Sequence, residues 1–598
     1  MSAAGITIVG ASAGSGKTYR LTQEVTTAVS PRSSCHIDVA GLMAVTFTRK
    51  AHIELEARIR QKLVEDEAYD AALRLPLSYI GTVHAASLRL LQEFAIDAGL
   101  SPNVDVVAGN EAKLLRQSFE RSLDGEARER LDELAARLEL RIDHRSRRTD
   151  WVTPVADVMD LARSNRIAPE KLPAMAEHSV ERLLALLPPP CADGASLDAE
   201  LSRALDAALR ALAEAADDTK KTADALEVLR DARARLADGE LRWSSWVKLA
   251  GVSPSKRCQP HVAELQRAAA RYEEHPRLHD DLRALTHAVF DAAKAGLVAY
   301  QEWKRARRVI DYVDMLDGAL DLVEHPRVRA ELSRRLRLVV VDEFQDTSPI
   351  QLALFMRLRT FVPRSTWVGD RKQCIFEYAG ADPVLMDAVA EWVVRTGGRR
   401  EHLGENHRSR PELVHACSEL FATALARHGF AREEVVVRPV RTAHEGLADL
   451  PPLGAWMLDV ANASDEAEAV AEGVRRLLDT PHATPVVDRT TKQARPVRAG
   501  DIAILAATNE WSARVASALH ARGVRVAIAR AGLLDTPEGS LVDAALRWLL
   551  DPADRLSAAV IDALTGWSGI GPDDWLAEQL RDVARMSDPD AGTNEDGR

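Results

Sequence analysis

The stretch Ala11-Ser12-Ala13-Gly14-Ser15-Gly16-Lys17-Thr18 gathers residue types suited to holding phosphate. Its glycines let backbone N–H groups turn inward around anionic oxygens, and a helix opening at Thr18 adds positive potential. Lys17 would reach the β- and γ-phosphates of a nucleotide, and the Thr18 hydroxyl would bind Mg²⁺. Ala11 stands at the first position of the usual G-x-x-x-x-G-K-[ST] spacing. Far downstream, Leu338-Val339-Val340-Val341 runs into Asp342-Glu343. An apolar strand ending in two acids supplies a Mg²⁺-linked carboxylate and a candidate base for an attacking water. Either feature alone fits a chance turn or an ordinary buried strand. Together they specify nucleotide chemistry.

These residues need a parallel sheet to bring them together. Ile6–Val9, Leu42–Thr46 and Tyr79–Thr82 are brief β-like runs, each followed by a helix-compatible stretch, which is the βαβ pattern. From about residue 105 to 335 strand signals nearly vanish and apolar positions recur at helical spacing, with Arg203–Ala237 reading as one long amphipathic helix. Pro188-Pro189-Pro190 and Gly251–Pro254 predict loops within that block. The α/β alternation returns at Leu336–Val341. A second α/β region follows, with strands expected at Ala455–Leu458, Asp501–Leu505 and Val524–Ile528. The tail from Asp588 is polar and reads as disordered.

Composition is compatible with this plan and excludes others. The chain has 598 residues, 46% hydrophobic and 28% charged, with 78 Lys+Arg against 90 Asp+Glu and a net charge of −12. That length exceeds a single core, so several domains are expected. Five scattered cysteines without a C-x-x-C pair offer no zinc or iron–sulfur framework and fit a reducing compartment. No stretch approaches the ~18 apolar residues of a membrane span, and Met1 to Val9 lacks the layout of a signal peptide. The expected location is cytoplasmic, with no membrane partner.

Beyond Asp342-Glu343 the sequence continues Phe344-Gln345-Asp346-Thr347-Ser348. DEFQDTS together with ASAGSGKT resembles the UvrD/RecB-type superfamily 1 DNA helicases. Further segments follow in that family's order. Val45-Thr46-Phe47-Thr48-Arg49-Lys50-Ala51 resembles its TFTNKA motif, and Gly81-Thr82-Val83-His84 the motif after it. Val368-Gly369-Asp370-Arg371-Lys372-Gln373-Cys374-Ile375-Phe376 is similar to VGDPKQSIY, and Asn406-His407-Arg408-Ser409 to NYRS. Asp501–Asn509 and Gly532–Glu538 extend the likeness, which is nearest to the RecB/AddA branch.

The resemblance implies a P-loop, RecA-like α/β domain from residues 1–100 and 301–398, with a large helical insertion at 101–300. A partial second RecA-like domain is expected at 399–555, and the start of another helical insertion and a polar tail at 556–598. ATP and Mg²⁺ are the implied cofactors. The loop Ala11, Ser12, Ala13, Gly14, Ser15, Gly16, Lys17 and Thr18 would hold nucleotide, with Thr18 and Asp342 on the metal and Glu343 as base. Gln373 matches a residue that senses the γ-phosphate, and Arg408 one that reaches it from the second domain. Thr46, Thr48 and His84 match positions along a single-stranded DNA track. Phe376 and Tyr378 match an aromatic stacking site, although their alternation with Ile375 and Glu377 also fits a packed strand. His84 also fits an ordinary satisfied polar residue.

Trp243 and Trp246, beside Arg242 and Lys248, could present a basic aromatic surface; at i, i+3 spacing they are better read as core anchors. The charges from Arg116 to Arg148 read as a solvated face.

The implied activity is that of an ATP-dependent translocase and 3′–5′ helicase acting on single-stranded DNA, or a duplex with a single-stranded tail, in repair or recombination. Several departures favour an alternative. Ala379 and Ala507 stand where the family carries arginine. No match to the family's later GLE-type segment or second γ-phosphate arginine is found before Arg598. The alternative is therefore an ATP- and DNA-binding module of a truncated or split helicase, with a possible protein partner completing the motor. A regulatory P-loop protein unrelated to DNA would leave the later motifs unexplained.

Overall fold

A computed structural model describes residues 5–565 apart from 35, 108–110, 141–149, 238–240, 375–382, 443–446, 448–449, 489–490 and 529–536. The chain divides into two compact units, Met1–Arg441 and Thr442–Arg598.

The first unit is built on six strands: β1 (Ile6–Ala11), β2 (Leu42–Thr46), β3 (Tyr79–Thr82), β4 (Leu338–Val341), β5 (Arg364–Gly369) and β6 (Arg399–Leu403). Their order across the sheet is β3-β2-β4-β5-β1-β6, and every pairing is parallel. Parallel strands need long crossovers and bury both faces, which is why β2 and β4 read as unbroken apolar runs. Alternate side chains divide accordingly. Ile8, Val45, Val339, Val341 and Trp367 meet Leu90, Leu316 and Phe355 on one face. Val9, Ala44, Leu338, Val340 and Val368 meet Leu21, Val25, Leu55 and Ile59 on the other.

The expected boundary at 398/399 is corrected by the sheet. β6 pairs with β1 in the register Thr7↔Arg399 to Ala11↔Leu403. β1 has an open edge beyond β5, and Arg399–Leu403 fills it, so the segment following it stays with the first unit.

The helical insertion leaves and returns through a short parallel pair, Asp105–Val106 with Val309–Ile310. Its closing helix runs Pro276–Arg307, past the expected limit of 300, and ends on Arg308 in the left-handed region. Buried Lys304 fixes this last turn by pairing with Asp311 and Asp314 at 3.0 and 2.5 Å. At Gly296 a Cβ would lie 2.3 Å from Phe119 Cβ, so only glycine lets this helix approach its neighbour so closely.

Trp243 and Trp246 are buried in a core with Leu201, Leu265 and Leu278, as the core reading expects. Leu115, Phe119 and Leu131 form a second core beneath the charged surface of the first two insertion helices. Both proline-marked breaks are loops. The single helix expected over Arg203–Ala237 is instead two, Gly194–Glu214 and Lys220–Ala237. Ala216 turns left-handed at φ 45°, and Asp217 accepts from the hydroxyls of Thr219, Thr222 and Ser255. Those side-chain bonds compete with helix continuation.

In the second unit, helices Ala463–Asp479 and Asn509–Ala521 pack together through Ala467, Ala471, Val515 and Leu519. The strands expected at 455–458, 501–505 and 524–528 do not form; Asp501 ends a short 3-10 turn and the other residues are irregular. A strand needs a ladder partner, and here apolar side chains stay in solvent, Met457 94% and Leu505 95% exposed. Among the described residues this unit's only sheet is an antiparallel pair, Val486–Val487 with Ala494–Arg495. No described helix is long and apolar enough to cross a membrane.

Candidate nucleotide and nucleic-acid site

The phosphate-loop and acidic residues converge at the carboxyl ends of the parallel strands, where open α/β sheets bind ligands. The 11–18 loop leaves β1, Asp342 and Glu343 leave β4, Asp370 to Gln373 leave β5, and Asn406 to Arg408 follow β6. Thr46 ends β2 in register with Thr82 at the end of β3, and His84 lies two residues beyond Thr82 in the first turn of the following helix.

The loop after β1 has the backbone of an anion cradle. Gly14 and Gly16 sit at φ 77° and 88°, a region costly for other residues. A helix starts at Lys17, and its first turn lacks intrahelical partners for its N–H groups. A Cβ on Gly16 would enter open space with nothing within 4 Å. The Ser12 and Ser15 hydroxyls are buried without a hydrogen-bond partner. Orphaned buried hydroxyls are costly, and a phosphate in the cradle would satisfy them. The residues present therefore fit a nucleotide phosphate.

Charge is concentrated opposite this cradle. Lys17 Nζ pairs with Glu343 Oε2 at 2.7 Å. Glu343 takes a left-handed backbone, φ 50°, which turns it from the strand end toward the lysine. Its N–H donates to Asp342 Oδ1 at 2.9 Å. Burial pushes the Asp342 carboxyl up to about 6, the Glu343 charge adds to this, and Lys17 opposes it. Asp346 is pushed up to about 6, again by burial first and then by Glu343. A bound cation would relieve this crowding of carboxylates. Among the described residues no cluster of three His, Cys, Asp or Glu forms a self-sufficient metal cage. Thr18 and Asp342 with phosphate oxygens and waters suit Mg²⁺, which usually takes few protein ligands.

The segment after β6 closes on the loop after β1. Asn406 Nδ2 donates to Ala13 O at 2.9 Å, and His407 N to Gly14 O at 2.9 Å. Asn406 Oδ1 accepts from the N–H of Arg408 and Ser409 at 3.0 and 2.9 Å, which sets the turn carrying Arg408. Arg408 thus belongs to the first compact unit, a correction to its expected place in the second domain, because β6 anchors it there. Asn406→Ala is expected to raise the KM for ATP about 5–10-fold, the ~1–1.5 kcal/mol of a buried hydrogen bond, with a small change in melting temperature. A KM within twofold of the parent would contradict the clamp.

On the β2–β3 side the chain itself uses several candidate groups. Buried Thr46 donates to Thr48 O at 3.2 Å, and Thr48 caps helix Arg49–Glu65 by accepting from Ala51 N at 3.1 Å. His84 meets the Tyr312 ring edge-on at 5.1 Å, and burial holds it below the usual imidazole range. Gln373 Nε2 donates to Asp370 Oδ2 at 2.7 Å. Phe376, Tyr378 and Ala379 lie outside the described residues. The sequence reading assigned no role to Asn406, Gln345, Asp346 or Asp370. Burial of Gln345 and Asn406 among charged neighbours is the structural signal that marks them.

A parallel sheet with this loop, an acidic strand end and facing polar loops defines a RecA-like, P-loop nucleotide-binding domain. The chain matches the UvrD/REP helicase N-terminal domain over residues 1–392, and it belongs to that family. It is similar to an ATP-dependent helicase/nuclease subunit from Levilactobacillus brevis, 24% identical over 93% of this chain and 50% of that protein. The protein of the same name from Pelotomaculum thermopropionicum is 28% identical over 70% of this chain and 37% of its own length. That from Geobacillus kaustophilus is 24% identical over 93% and 50%. The chain thus spans half or less of these relatives.

Proposed function

We propose that the chain is an ATP-dependent translocase on single-stranded DNA and a 3′–5′ DNA helicase, acting in repair or recombination. The observation that carries this is the convergence of the loops after β1, β4, β5 and β6 at the carboxyl ends of the sheet, tied by Lys17–Glu343 and Asn406–Ala13 contacts. Bound MgATP supplies the phosphoryl group whose transfer to water drives movement. Lys17 would hold its β- and γ-phosphates, Thr18 and Asp342 would hold the metal, and Glu343 would take the proton of the attacking water. Gln373 would sense the γ-phosphate, and Arg408 would offset charge as the phosphoryl group leaves. Thr46, Thr48 and His84 lie at or just past the ends of β2 and β3, on the same carboxyl side of the sheet, and would line the DNA track; Phe376 and Tyr378 would stack bases. Each relative is named as one part of a helicase/nuclease, which supports a DNA substrate and a protein partner for this chain too.

Streptavidin displacement tests the motor and its direction. An oligonucleotide carrying biotin at its 5′ end should lose streptavidin in an ATP-dependent way, and one with a 3′ biotin should not. Displacement from neither end, with ATP and DNA both bound, would favour the alternative of a binding module without autonomous motor activity.

A further inference from the structure

Gln345 has no place in the chemistry described above, yet it is among the most enclosed polar side chains, only 1% exposed. Its amide spans two loops. Nε2 donates to Glu343 Oε2 at 2.9 Å and more weakly to Asp346 Oδ2 at 3.3 Å. Oε1 accepts from Asp370 N at 2.8 Å. The orientation is fixed by its neighbours, since an N–H needs an acceptor and a carboxylate needs a donor. Reversing the amide would set like against like at both ends.

Asp370 carries the connection onward. Its Oδ2 holds Gln373 Nε2 at 2.7 Å, and its Oδ1 holds Lys372 Nζ at 2.8 Å. The result is one continuous path, Gln373–Asp370–Gln345–Glu343–Lys17, from the candidate phosphate sensor to the lysine of the cradle. Along it Glu343 Oε2 accepts from Gln345 and Lys17 together, so the amide helps fix where that carboxylate points. Packing leaves the amide little room. A Cβ on Gly369 would sit 2.8 Å from Gln345 Oε1.

We propose that Gln345 is a positioning residue that ties the Asp370–Gln373 loop to Glu343, so that a shift of that loop re-aims the candidate base. Only a planar group with a donor at one end and an acceptor at the other can serve both partners. Glutamate would set an oxygen against the Glu343 carboxylate, and alanine would leave the Asp370 N–H and Glu343 without their bonds. The inference rests on the function proposed above and adds how the loop after β5 governs hydrolysis.

The test measures steady-state ATP hydrolysis with saturating oligo-dT in the full chain, for Gln345→Ala, Gln373→Ala, their double variant and Gly369→Ala. Gln345→Ala should lower kcat about 10-fold or more while the KM for ATP stays within about threefold, the split left by a lost transition-state contact. The double variant should lose clearly less than the product of the two single losses, because residues on one path are non-additive. Gly369→Ala should reproduce the kcat loss by displacing the amide while leaving Gln345 in the chain, which covers the case in which Gln345→Ala fails to fold. Additive losses, a KM rise matching the kcat loss, or kcat retained in Gly369→Ala would each overturn the inference. If the unsubstituted chain shows no DNA-stimulated hydrolysis, the functional reading fails first and takes the inference with it.

Discussion

Lys17→Ala should remove ATP binding at ordinary concentrations and, with it, any DNA-stimulated hydrolysis. The arrangement of charge sets this expectation. Lys17 is the cation at the mouth of a loop whose glycines sit in left-handed geometry and whose serine hydroxyls lack partners. It faces Glu343 at 2.7 Å and lies close enough to offset the raised carboxyls of Asp342 and Asp346. Without it, a triphosphate would enter a site holding three carboxylic acids and no compensating lysine. Truncating one partner of a hydrogen-bonded charge pair costs ~2–5 kcal/mol, so affinity should fall at least ~30-fold. Titration with a fluorescent ATP analogue reads this directly. The fold should survive, since the pair is half-buried and its loss leaves the sheet and both its cores intact. Affinity unchanged by the substitution would refute the assigned phosphate loop.

Glu343→Gln should give the opposite division, with ATP bound and turnover lost. An amide keeps the size of the side chain and can still contact Lys17, but it cannot take a proton from water. General-base catalysis contributes ~10²–10⁴ in rate, and kcat should fall by that order. Binding should hold or tighten, because the substitution removes a negative charge beside Asp342 that the nucleotide would otherwise meet. Single-turnover hydrolysis with radiolabelled ATP separates the two effects. A kcat within threefold of the parent would move the role of base to another group, and Asp346 would be the next to examine.

Much of the site was legible because its residues are fixed by local chemistry. A glycine-rich turn between a strand and a helix, and an apolar run ending in acids, each carry their geometry in short spacing. β4 could be read from Leu338–Val341 because a strand buried on both faces must be apolar throughout. What spacing could not show was partnership over long distances. β6 joins β1 across nearly the whole unit, so the expected boundary at 398 fell before it. That same pairing carries Arg408 to the cradle in a way its motif alone does not reveal. Gln345 and Asn406 were visible as letters of motifs, but their roles depend on which backbone groups lie opposite them. The helical insertion was legible as a class from its periodicity. Its break at Ala216 was not, since it depends on Ser255 reaching Asp217 from a distant loop. In the second unit, short apolar runs led to an expectation of strands, yet a strand exists only where a neighbour completes its ladder. Residues 455–458, 501–505 and 524–528 have none in the described chain.

The most direct measurement is phosphate release by the purified chain with MgATP, with and without single-stranded oligo-dT. A site whose loops join a phosphate cradle to the proposed DNA track should turn over faster when DNA is bound, and Lys17→Ala should abolish that gain. Tight ATP binding together with a release rate indifferent to DNA would contradict a motor and leave a nucleotide- and DNA-binding module.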